Sequence, residues 1–575
     1  LNQWEALEKG EADTFNPAKV FAGSEGTLGI LTELTLDLVP LERNTALIMI
    51  EYGEVLEALR SLPRILEHSP SAVELIDHNI LGQAFNSPGL KDDVSILTGR
   101  PNAVLVVEFQ DSEADELTAK VESAFKALTR DLPETKLSTL LDPADQKRVW
   151  NIRKAGLGMM MRMKGRNKPC AFIEDAAIPI ESLPSYVEDL FAFLAERGLR
   201  AGAYAHASVG LLHIRPILNL YEDTGVGQLR EVAEKSVELS LKYGGAFSGE
   251  HGDGFARSEF LKVTHGEQVI EAFREVKRLF DPDGLMNPGK IVDPYPMDRN
   301  LRYDGGYEGK EVETIFDYQE DGSFSNAVDL CSGVGQCRNR FVGVMCPSYM
   351  ATRNEFHTTR ARANALRDAL NGRISTRHKN GESDWVSPEV LEALDLCLSC
   401  KACKTECPTG VDMARWKAEV LEAHAAVHGR SLSAKLIAHY PDQADLAASM
   451  APISNWVAQS PPVRWVMEKA FGLDRRVPPP RFYRKTLRKW FREFQSSEEY
   501  RTSEADKTRS RVVFFVDTFT NINQPAVGIA AIRLLMAGGR HPIIPDNVDE
   551  GRTRFSKGFL REARELVGRN LEILE

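Results

Sequence analysis

Seven of the eight cysteines lie between Cys331 and Cys407, a clustering that indicates metal binding and not a disulfide framework. Four of them follow the spacing C-x2-C-x2-C-x3-C-P, which is typical of 4Fe–4S ligation: Cys397, Cys400, Cys403 and Cys407. The first three thiolates of such a run each bind one iron of a cubic cluster, and the fourth ligates a neighbouring cluster. A structural zinc site is the alternative, but zinc prefers two separated pairs of ligands. The spacing therefore favours iron–sulfur chemistry.

An upstream block repeats this pattern in degenerate form, with Cys331, Cys337 and Cys346, the last again followed by proline. If the cysteine before each proline serves the other cluster, one 4Fe–4S cluster is ligated by Cys397, Cys400, Cys403 and Cys346. The remaining three, Cys331, Cys337 and Cys407, are one thiolate short of a cube. Three alternatives stay open for them: a 3Fe–4S cluster, a non-cysteine ligand, or no second cluster. Cys170 stands alone and is interpreted as a small buried hydrophobic residue.

A second group of potential ligands contains two histidines and a glutamate. His206 and His213 are seven residues apart, so both can face one point across a strand–turn–strand or at the two ends of a short loop. Glu250 can add an oxygen ligand and leave an open position, as in catalytic metal sites. His251 follows it, and a histidine of ordinary pKa is suited to take a proton at neutral pH. Each histidine alone is better explained as a core or capping residue, but the four residues together favour a site.

A glycine-rich stretch precedes these groups. Its residues Gly23, Ser24, Gly26, Thr27 and Gly29 could hold a phosphate or a flavin with backbone N–H groups, although an ordinary turn is the better explanation for the stretch alone. The leucines that follow alternate with polar residues over 31–38, and this alternation predicts a strand.

The hydrophobic pattern predicts an α+β chain that positions these groups. Residues 46–51 and 103–110 are predicted to be strands, and residues 115–129 and 183–197 amphipathic helices. The cysteine region carries several helical stretches. From residue 511 an α/β pattern begins.

Length and composition exclude several classes of protein. A chain of 575 residues predicts about three to five domains. The net charge of −12 argues against binding nucleic acid by charge, and no apolar run is long enough for a membrane helix.

Residues 475–492 are basic and aromatic. We favour a solvated helix that docks its aromatic face on the protein over a membrane-surface or partner contact. The chain starts at Leu1 and stops at Glu575 inside a predicted helix, so we expect a piece of a longer polypeptide.

Several segments resemble FAD-linked oxidases. GSEGTLGILTELTLDL resembles the end of the FAD-binding domain of vanillyl-alcohol-oxidase-type flavoproteins. FIEDAAIP, HASVGLLHIRP, SGEHGDG and LFDPDGLMNPGKIV resemble the C-terminal cap domain of D-lactate, glycolate and D-2-hydroxyglutarate dehydrogenases. The cysteine blocks resemble the iron–sulfur half of long bacterial fusion members of the D-2-hydroxyglutarate dehydrogenase type. Residues 511–575 are similar to the start of a cysteine-rich domain found in glycolate oxidase and heterodisulfide reductase subunits.

The resemblance implies a multidomain α+β protein. Its parts are a C-terminal remnant of an FAD-binding domain (1–43), a cap domain with an antiparallel sheet and helices (44–295), a linker (296–325), a helical ferredoxin-type 4Fe–4S domain (326–440), a helical basic connector (441–510) and the start of a truncated α/β cysteine-rich-type domain (511–575). In this alignment Asp549-Glu550-Gly551 replaces the Cys-Cys-Gly signature of the last domain.

The resemblance also implies site residues. FAD would be bound by Gly23, Ser24, Gly26, Thr27, Gly29, Ile30 and Asn287. His206, His213 and Glu250 match the ligands of a divalent metal, usually zinc. His251 matches the residue that takes the substrate's hydroxyl proton, and Arg153 the arginine that holds its carboxylate. A surface salt bridge is the alternative for Arg153.

The function implied is FAD-dependent oxidation of a D-2-hydroxy acid, with D-2-hydroxyglutarate favoured and D-lactate or glycolate as alternatives. Electrons would pass from the flavin through a 4Fe–4S cluster to a quinone or a carrier. A non-catalytic electron-transfer subunit and a zinc-stabilised interaction module are the rival classes. The expected location is cytoplasmic, and peripheral contact with the inner membrane and homo-oligomerisation are left open. The loop between His206 and His213 departs from the common HxGDGNxH form, but both histidines are kept. The threonine and lysine that assist substrate binding in the eukaryotic enzyme have no clear match, and Leu157 and Ile173 fall there by spacing, which leaves selectivity for a second carboxylate open.

Overall fold

The computed structural model describes residues 16–86, 90–307, 309–341, 343–374, 385–546 and 548–575. The chain divides into two compact units, residues 1–308 and 309–575. Each unit has its own hydrophobic core.

The first unit is built on an antiparallel sheet of eight strands in the order β4-β1-β3-β2-β7-β8-β5, with β6 also paired to β8. The strands are β1 Asn44–Tyr52, β2 Ala72–Asp77, β3 Ala103–Asp111, β4 Lys136–Leu140, β5 Lys168–Pro169, β6 Ala176–Ala177, β7 Ala201–His206 and β8 Leu211–Leu218. The central strands β1 and β3 are nearly continuous apolar runs because helices cover both faces of the sheet.

The first unit also contains α-helices, most of which pack on the two faces of the sheet. They are Ala18–Phe21, Val55–Leu66, His78–Phe85, Lys91–Val94, Ala114–Asp131, Pro143–Met161, Leu183–Glu196, Asp223–Lys242, Gly254–Arg257, Leu261–His265 and Glu267–Phe280. The larger core lies under the helices Val55–Leu66, Ala114–Asp131, Leu183–Glu196 and Asp223–Lys242. The helices His78–Phe85 and Pro143–Met161 cover the other face. The strands predicted over residues 46–51 and 103–110 and the amphipathic helices predicted over residues 115–129 and 183–197 are present.

The second unit is mainly helical. Its α-helices are Phe324–Val328, Pro347–Thr352, Thr359–Leu370, Pro388–Asp395, Ala402–Glu406, Met413–His428, Leu432–Ala438, Tyr440–Ser449, Ile453–Gln459, Pro461–Phe471, Leu487–Phe494, Glu498–Ala505, Thr518–Ile522, Pro525–Ala537, Arg552–Ser556 and Leu560–Leu574. Its main core surrounds Trp416 and includes five of the cysteines. Strands β9 Ser510–Val513 and β10 Arg540–Ile543 pair in parallel across the helices between them, as an α/β pattern requires.

The basic segment docks in the way we favoured. The helix Leu487–Phe494 buries Leu487 and Phe491 in a small core with Ile532. Arg488 of this helix donates hydrogen bonds to the carbonyls of Pro545 and Val548. Within the described ranges, no helix combines the length and the apolar character that crossing a membrane needs.

The strand predicted over residues 31–38 is wrong. These residues form no strand, and Leu31, Leu34, Leu36 and Leu38 are exposed. A strand requires a neighbour that takes up its backbone hydrogen bonds, and none of the described strands runs beside this segment. Cys170 is only partly buried, but it packs against the larger core as expected, and burial raises the pKa of its thiol to about 12.

Candidate active site

The two histidines of the predicted metal site lie on the paired strands β7 and β8. His206 ends β7 and lies opposite Glu74 of β2, while His213 on β8 lies opposite Tyr204. Directly opposed residues point to the same face of a sheet, so all four side chains share the face covered by the helix Pro143–Met161. The strand–turn–strand inferred from the spacing therefore brings both imidazoles to one place.

Hydrogen bonds fix the orientation of both imidazole rings. His206 Nδ1 is bonded to the Glu74 carboxylate, and His213 Nδ1 lies 2.7 Å from the carbonyl oxygen of Glu174. The two Nε2 atoms point at Glu250 Oε1, at 3.4 and 3.5 Å. Metal-binding histidines are held in this way, with the second ring nitrogen bonded to a carboxylate or a carbonyl. The three donor atoms lie within 4.8 Å of one another, so the residues fit a divalent metal with an open position.

Burial also favours the neutral imidazole that a metal needs. His213 is almost fully buried, and loss of solvation lowers its pKa to about 4. It therefore keeps a lone pair available for a metal ion throughout the neutral range.

The loop that carries Glu250 and His251 is held by a buried carboxylate. Asp175 accepts hydrogen bonds from the backbone N–H groups of Gly249, Glu250 and His251, at 2.9–3.0 Å. It also accepts one from the Ser248 hydroxyl at 3.1 Å. A single fully buried side chain thus positions both functional residues of the loop.

His251 lies at the edge of this cluster. Its Nε2 is 3.3 Å from Glu250 Oε1, and its ring stacks on His213 with centroids 5.2 Å apart. About 39% of its side chain is exposed, which leaves the imidazole accessible to a substrate.

Arg153 reaches the cluster from the helix Pro143–Met161. Its Nε donates to Glu74 Oε2 at 2.9 Å, and its guanidinium lies 4.4 Å from the centre of the Tyr204 ring. The ion pair is largely buried, so the alternative of a surface salt bridge does not describe it. Glu74 therefore joins His206 to Arg153.

Sequence reasoning missed Glu74 and Tyr204, and it did not assign a role to Asp175. A carboxylate in the apolar strand β2 is the signal that could have identified Glu74, because an acidic residue is rarely buried without a partner.

The glycine-rich turn packs against the same loop. The Glu25 carboxylate accepts hydrogen bonds from the backbone N–H groups of Asp253 and Gly254, and Asn287 Nδ2 donates to the Glu25 carbonyl at 2.6 Å. Lys277 donates to the carbonyl of Thr27 at 2.7 Å. The turn is therefore anchored to the loop that carries Glu250 and His251.

A cavity of about 690 Å³ opens beside this turn. Gly23, Ser24 and Thr27 line it, and so do Ser248 and Asp253 of the loop that carries Glu250 and His251. Its wall contains the cations Lys19, Arg257 and Lys277 and the carboxylate of Asp253, and Lys277 is already paired with Asp281. Its volume is typical of small-molecule sites, so these residues fit a nucleotide cofactor.

Four predicted cofactor residues are not in the cavity wall. They are Gly26, Gly29, Ile30 and Asn287. Ile30 is exposed, while Asn287 supports the turn from behind.

The cysteines separate into two sets in the second unit. One small cavity is lined by Cys346, Cys397, Cys400 and Cys403. Another is lined by Cys331, Cys337 and Cys407. This is the grouping that the crossover rule predicts, since each cysteine before a proline joins the other block.

The sulfur spacing does not suit zinc. In a tetrahedral zinc site the sulfur atoms are about 3.8 Å apart. Among the residues that the structure describes, the sets of three ligand side chains with donor atoms within 4.8 Å belong to the histidine cluster and contain no cysteine. In each cysteine set, therefore, the sulfur atoms do not all lie within 4.8 Å of one another. Wider spacing between the sulfur atoms suits an iron–sulfur core, whose iron atoms lie between the thiolates.

A buried arginine lies against the first set. Arg362 donates from its guanidinium to Cys346 Sγ at 3.2 Å and to Ser348 Oγ at 2.9 Å. Burial alone would raise the pKa of the Cys346 thiol, but its hydrogen bond with the Ser348 hydroxyl at 3.5 Å and the charge and hydrogen bond of Arg362 bring the pKa below its ordinary value. The thiolate needed for cluster ligation is therefore stabilised.

Two family models match the chain. Residues 41–291 match the FAD linked oxidases, C-terminal domain, and residues 327–411 match the 4Fe-4S dicluster domain. The chain therefore combines an FAD-linked oxidase C-terminal domain with a 4Fe–4S domain, and these domains imply FAD and an iron–sulfur cluster. The resemblance and the fold class inferred from the sequence are confirmed at this level.

Over nearly its whole length the chain is similar to D-2-hydroxyglutarate dehydrogenases. It is 27% identical over 607 residues to the enzyme of Pantoea ananatis and 28% identical over 615 residues to that of Escherichia coli K12. Each alignment covers 98% of this chain and 59% of the relative. The chain is also 27% identical over 275 residues to D-lactate dehydrogenase of Anaerostipes hadrus, with 47% of this chain and 56% of the relative covered. These comparisons do not support the expectation that the chain is a piece of a longer polypeptide.

Proposed function

We propose that this chain is an FAD-dependent dehydrogenase of a D-2-hydroxy acid, with D-2-hydroxyglutarate as the favoured substrate. The observation that carries the proposal is the convergence of His206, His213 and Glu250 beside His251. The loop that holds Glu250 and His251 also lines the cavity assigned to the flavin. Similarity to D-2-hydroxyglutarate dehydrogenases over 98% of the chain supports the choice of substrate.

Each side chain of the cluster has a proposed task. His206, His213 and Glu250 hold a divalent metal such as zinc. Arg153 binds the substrate carboxylate, a role that suits a planar guanidinium. His251 takes the hydroxyl proton at Nε2, the nitrogen that faces Glu250.

The cofactors have separate chemical tasks. When bound, the metal supplies a Lewis acid for the hydroxyl group, FAD a hydride acceptor and the cluster a one-electron carrier. We propose that FAD lies against Gly23, Ser24 and Thr27, the predicted residues that line the cavity, with Asn287 as the support of this turn. The cluster ligands are Cys346, Cys397, Cys400 and Cys403, and Cys331, Cys337 and Cys407 form a second site. The final acceptor is a quinone or a carrier.

D-lactate or glycolate is the second candidate substrate. The similarity to a D-lactate dehydrogenase favours it, and so does the lack of a clear match for the threonine and lysine that assist substrate binding. A non-catalytic electron-transfer subunit is disfavoured, because such a subunit has no need of an ordered His206–His213–Glu250 set.

The direct test is anaerobic mixing of the FAD-loaded chain with D-2-hydroxyglutarate, D-lactate or glycolate while the flavin absorbance is followed. We expect bleaching by D-2-hydroxyglutarate and none by its L enantiomer. His251→Ala should abolish bleaching and leave the iron content unchanged. Bleaching by D-lactate or glycolate alone would show that this acid, and not D-2-hydroxyglutarate, is the substrate. Bleaching by none would contradict the proposed function, and normal turnover of His251→Ala would contradict the proton acceptor.

A further inference from the structure

The second cysteine site differs from the first at one position. The first block reads Cys397-x2-Cys400-x2-Cys403, and the upstream block has the same spacing with a valine in the middle, Cys331-x2-Val334-x2-Cys337. Each block is followed by a cysteine before proline, which lines the cavity of the other block. Val334 thus corresponds in sequence to Cys400.

The backbone supports the same correspondence. Ser399 and Lys401, which flank Cys400, both have left-handed backbone conformations, with φ of 53° and 61°. Gly333 and Gly335, which flank Val334, also have positive φ, at 85° and 80°. The left-handed region is rare for residues other than glycine, so its recurrence on both sides of the middle position indicates that the two loops follow the same path.

The environments of the two positions also agree. Val334 lines the second cavity as Cys400 lines the first. Both side chains are exposed, whereas Cys331, Cys337 and Cys407 are buried. Val334 therefore occupies the place from which a fourth thiolate would reach the cluster.

No other side chain in the wall of this cavity is a usual ligand of an iron–sulfur cluster. Apart from the three cysteines, the wall offers the Met345 thioether, which is a weak ligand, and the polar side chains of Ser332, Gln336, Thr359, Arg360 and Thr409. Neither histidine nor a carboxylate is among these described residues. Arg360 is a cation that offers no lone pair, and it is already bonded to the Gly333 carbonyl and to Glu355. A non-cysteine fourth ligand is thus disfavoured.

We infer that the second site holds a 3Fe–4S cluster ligated by Cys331, Cys337 and Cys407, and that Val334 leaves the fourth corner without an iron. Each of the three irons has one thiolate, and a fourth iron would have no ligand from the protein. This inference rests on the iron–sulfur part of the proposed function, and it does not depend on which hydroxy acid is oxidised.

The test is iron analysis and electron paramagnetic resonance of the full chain, purified without oxygen. We expect about seven irons per chain and, in the oxidised protein, the signal of a three-iron cluster. Val334→Cys should raise the count to about eight irons and remove this signal, because a thiolate now completes the cube. Val334→Ala, which changes the side chain without adding a ligand, should keep the signal.

A second variant covers the case in which Val334→Cys does not fold. Cys331→Ala should lose the three-iron signal and keep the reduced 4Fe–4S signal of the first site. A wild-type protein without the oxidised signal, with either about four or about eight irons, would overturn the inference. Persistence of the signal in Val334→Cys or in Cys331→Ala would overturn it as well. Flavin bleaching is measured separately, so failure of the substrate proposal is distinguishable from failure here.

Discussion

Glu74 connects the parts of the candidate active site at the scale of single residues. One carboxylate oxygen is hydrogen-bonded to His206 Nδ1, and the other accepts a hydrogen bond from Arg153 Nε at 2.9 Å. The orientation of a proposed metal ligand and of the proposed carboxylate binder therefore depends on the same buried side chain.

We expect Glu74→Gln to weaken metal binding by about 10- to 100-fold, the usual effect of losing a carboxylate behind a histidine ligand. The KM for the hydroxy acid should also rise, because Arg153 loses its ionic partner. Metal affinity and steady-state kinetics are the measurements.

Glu51→Gln is the matched control for this variant. Glu51 is also a buried carboxylate of the sheet, but it bonds to Thr98 and takes no part in the site. Equal metal affinity in the two variants would contradict the role given to Glu74.

The site residues that belong to a sequence motif could be predicted from the sequence. The residues that hydrogen-bond to them and fix their orientation could not. The spacing of His206 and His213 and the EHGDG segment indicated a cluster because ligand types recurred there. Glu74 is 132 positions from its histidine, and only the pairing of β2 with β7 brings them together. That pairing is a property of the sheet and has no local signal.

At the scale of elements, the β7–β8 hairpin sets the distance between the two histidines. Its turn places Gly210 in the left-handed region, with φ of 69°. A side chain here would also meet the Ile178 carbonyl oxygen at 1.9 Å. Glycine is thus required both by the backbone and by the close approach of the neighbouring segment.

We expect Gly210→Ala to lower the thermal unfolding midpoint and to weaken metal binding, because the hairpin must shift to relieve the contact. Gly198→Ala is the matched control, since Gly198 has φ of 67° and no heavy atom near the added carbon. The control should cost only about 1–2 kcal/mol for the left-handed backbone. Equal midpoints and unchanged metal affinity in both variants would contradict this account.

The segment 31–38 shows where pattern reasoning fails at this scale. The alternation of leucines with polar residues shows that the segment is able to form a strand. A strand forms only where a neighbouring strand pairs with it. Strands β1 and β3 were predictable because their apolar runs match a fully covered sheet, whose partners lie in the same unit.

At the scale of the whole molecule, each of the two units contains a different kind of candidate site. The first holds the histidine cluster and the cavity beside the glycine-rich turn, and the second holds the two cysteine sets. Motifs predicted this division, whereas composition alone could not. The domain boundaries, the electron acceptor, the oligomeric state and the cellular location stay predictions, because none of them has a signal in the residues of the two sites.

We propose that hydroxy-acid oxidation depends on a metal held by His206, His213 and Glu250. The most direct measurement is the rate of anaerobic flavin reduction by D-2-hydroxyglutarate before chelation, after chelation and after zinc is returned, with iron content followed throughout. We predict a loss on the order of 100-fold on chelation, with unchanged iron, and recovery with zinc. An unchanged rate in protein that has lost its non-iron metal would contradict the claim.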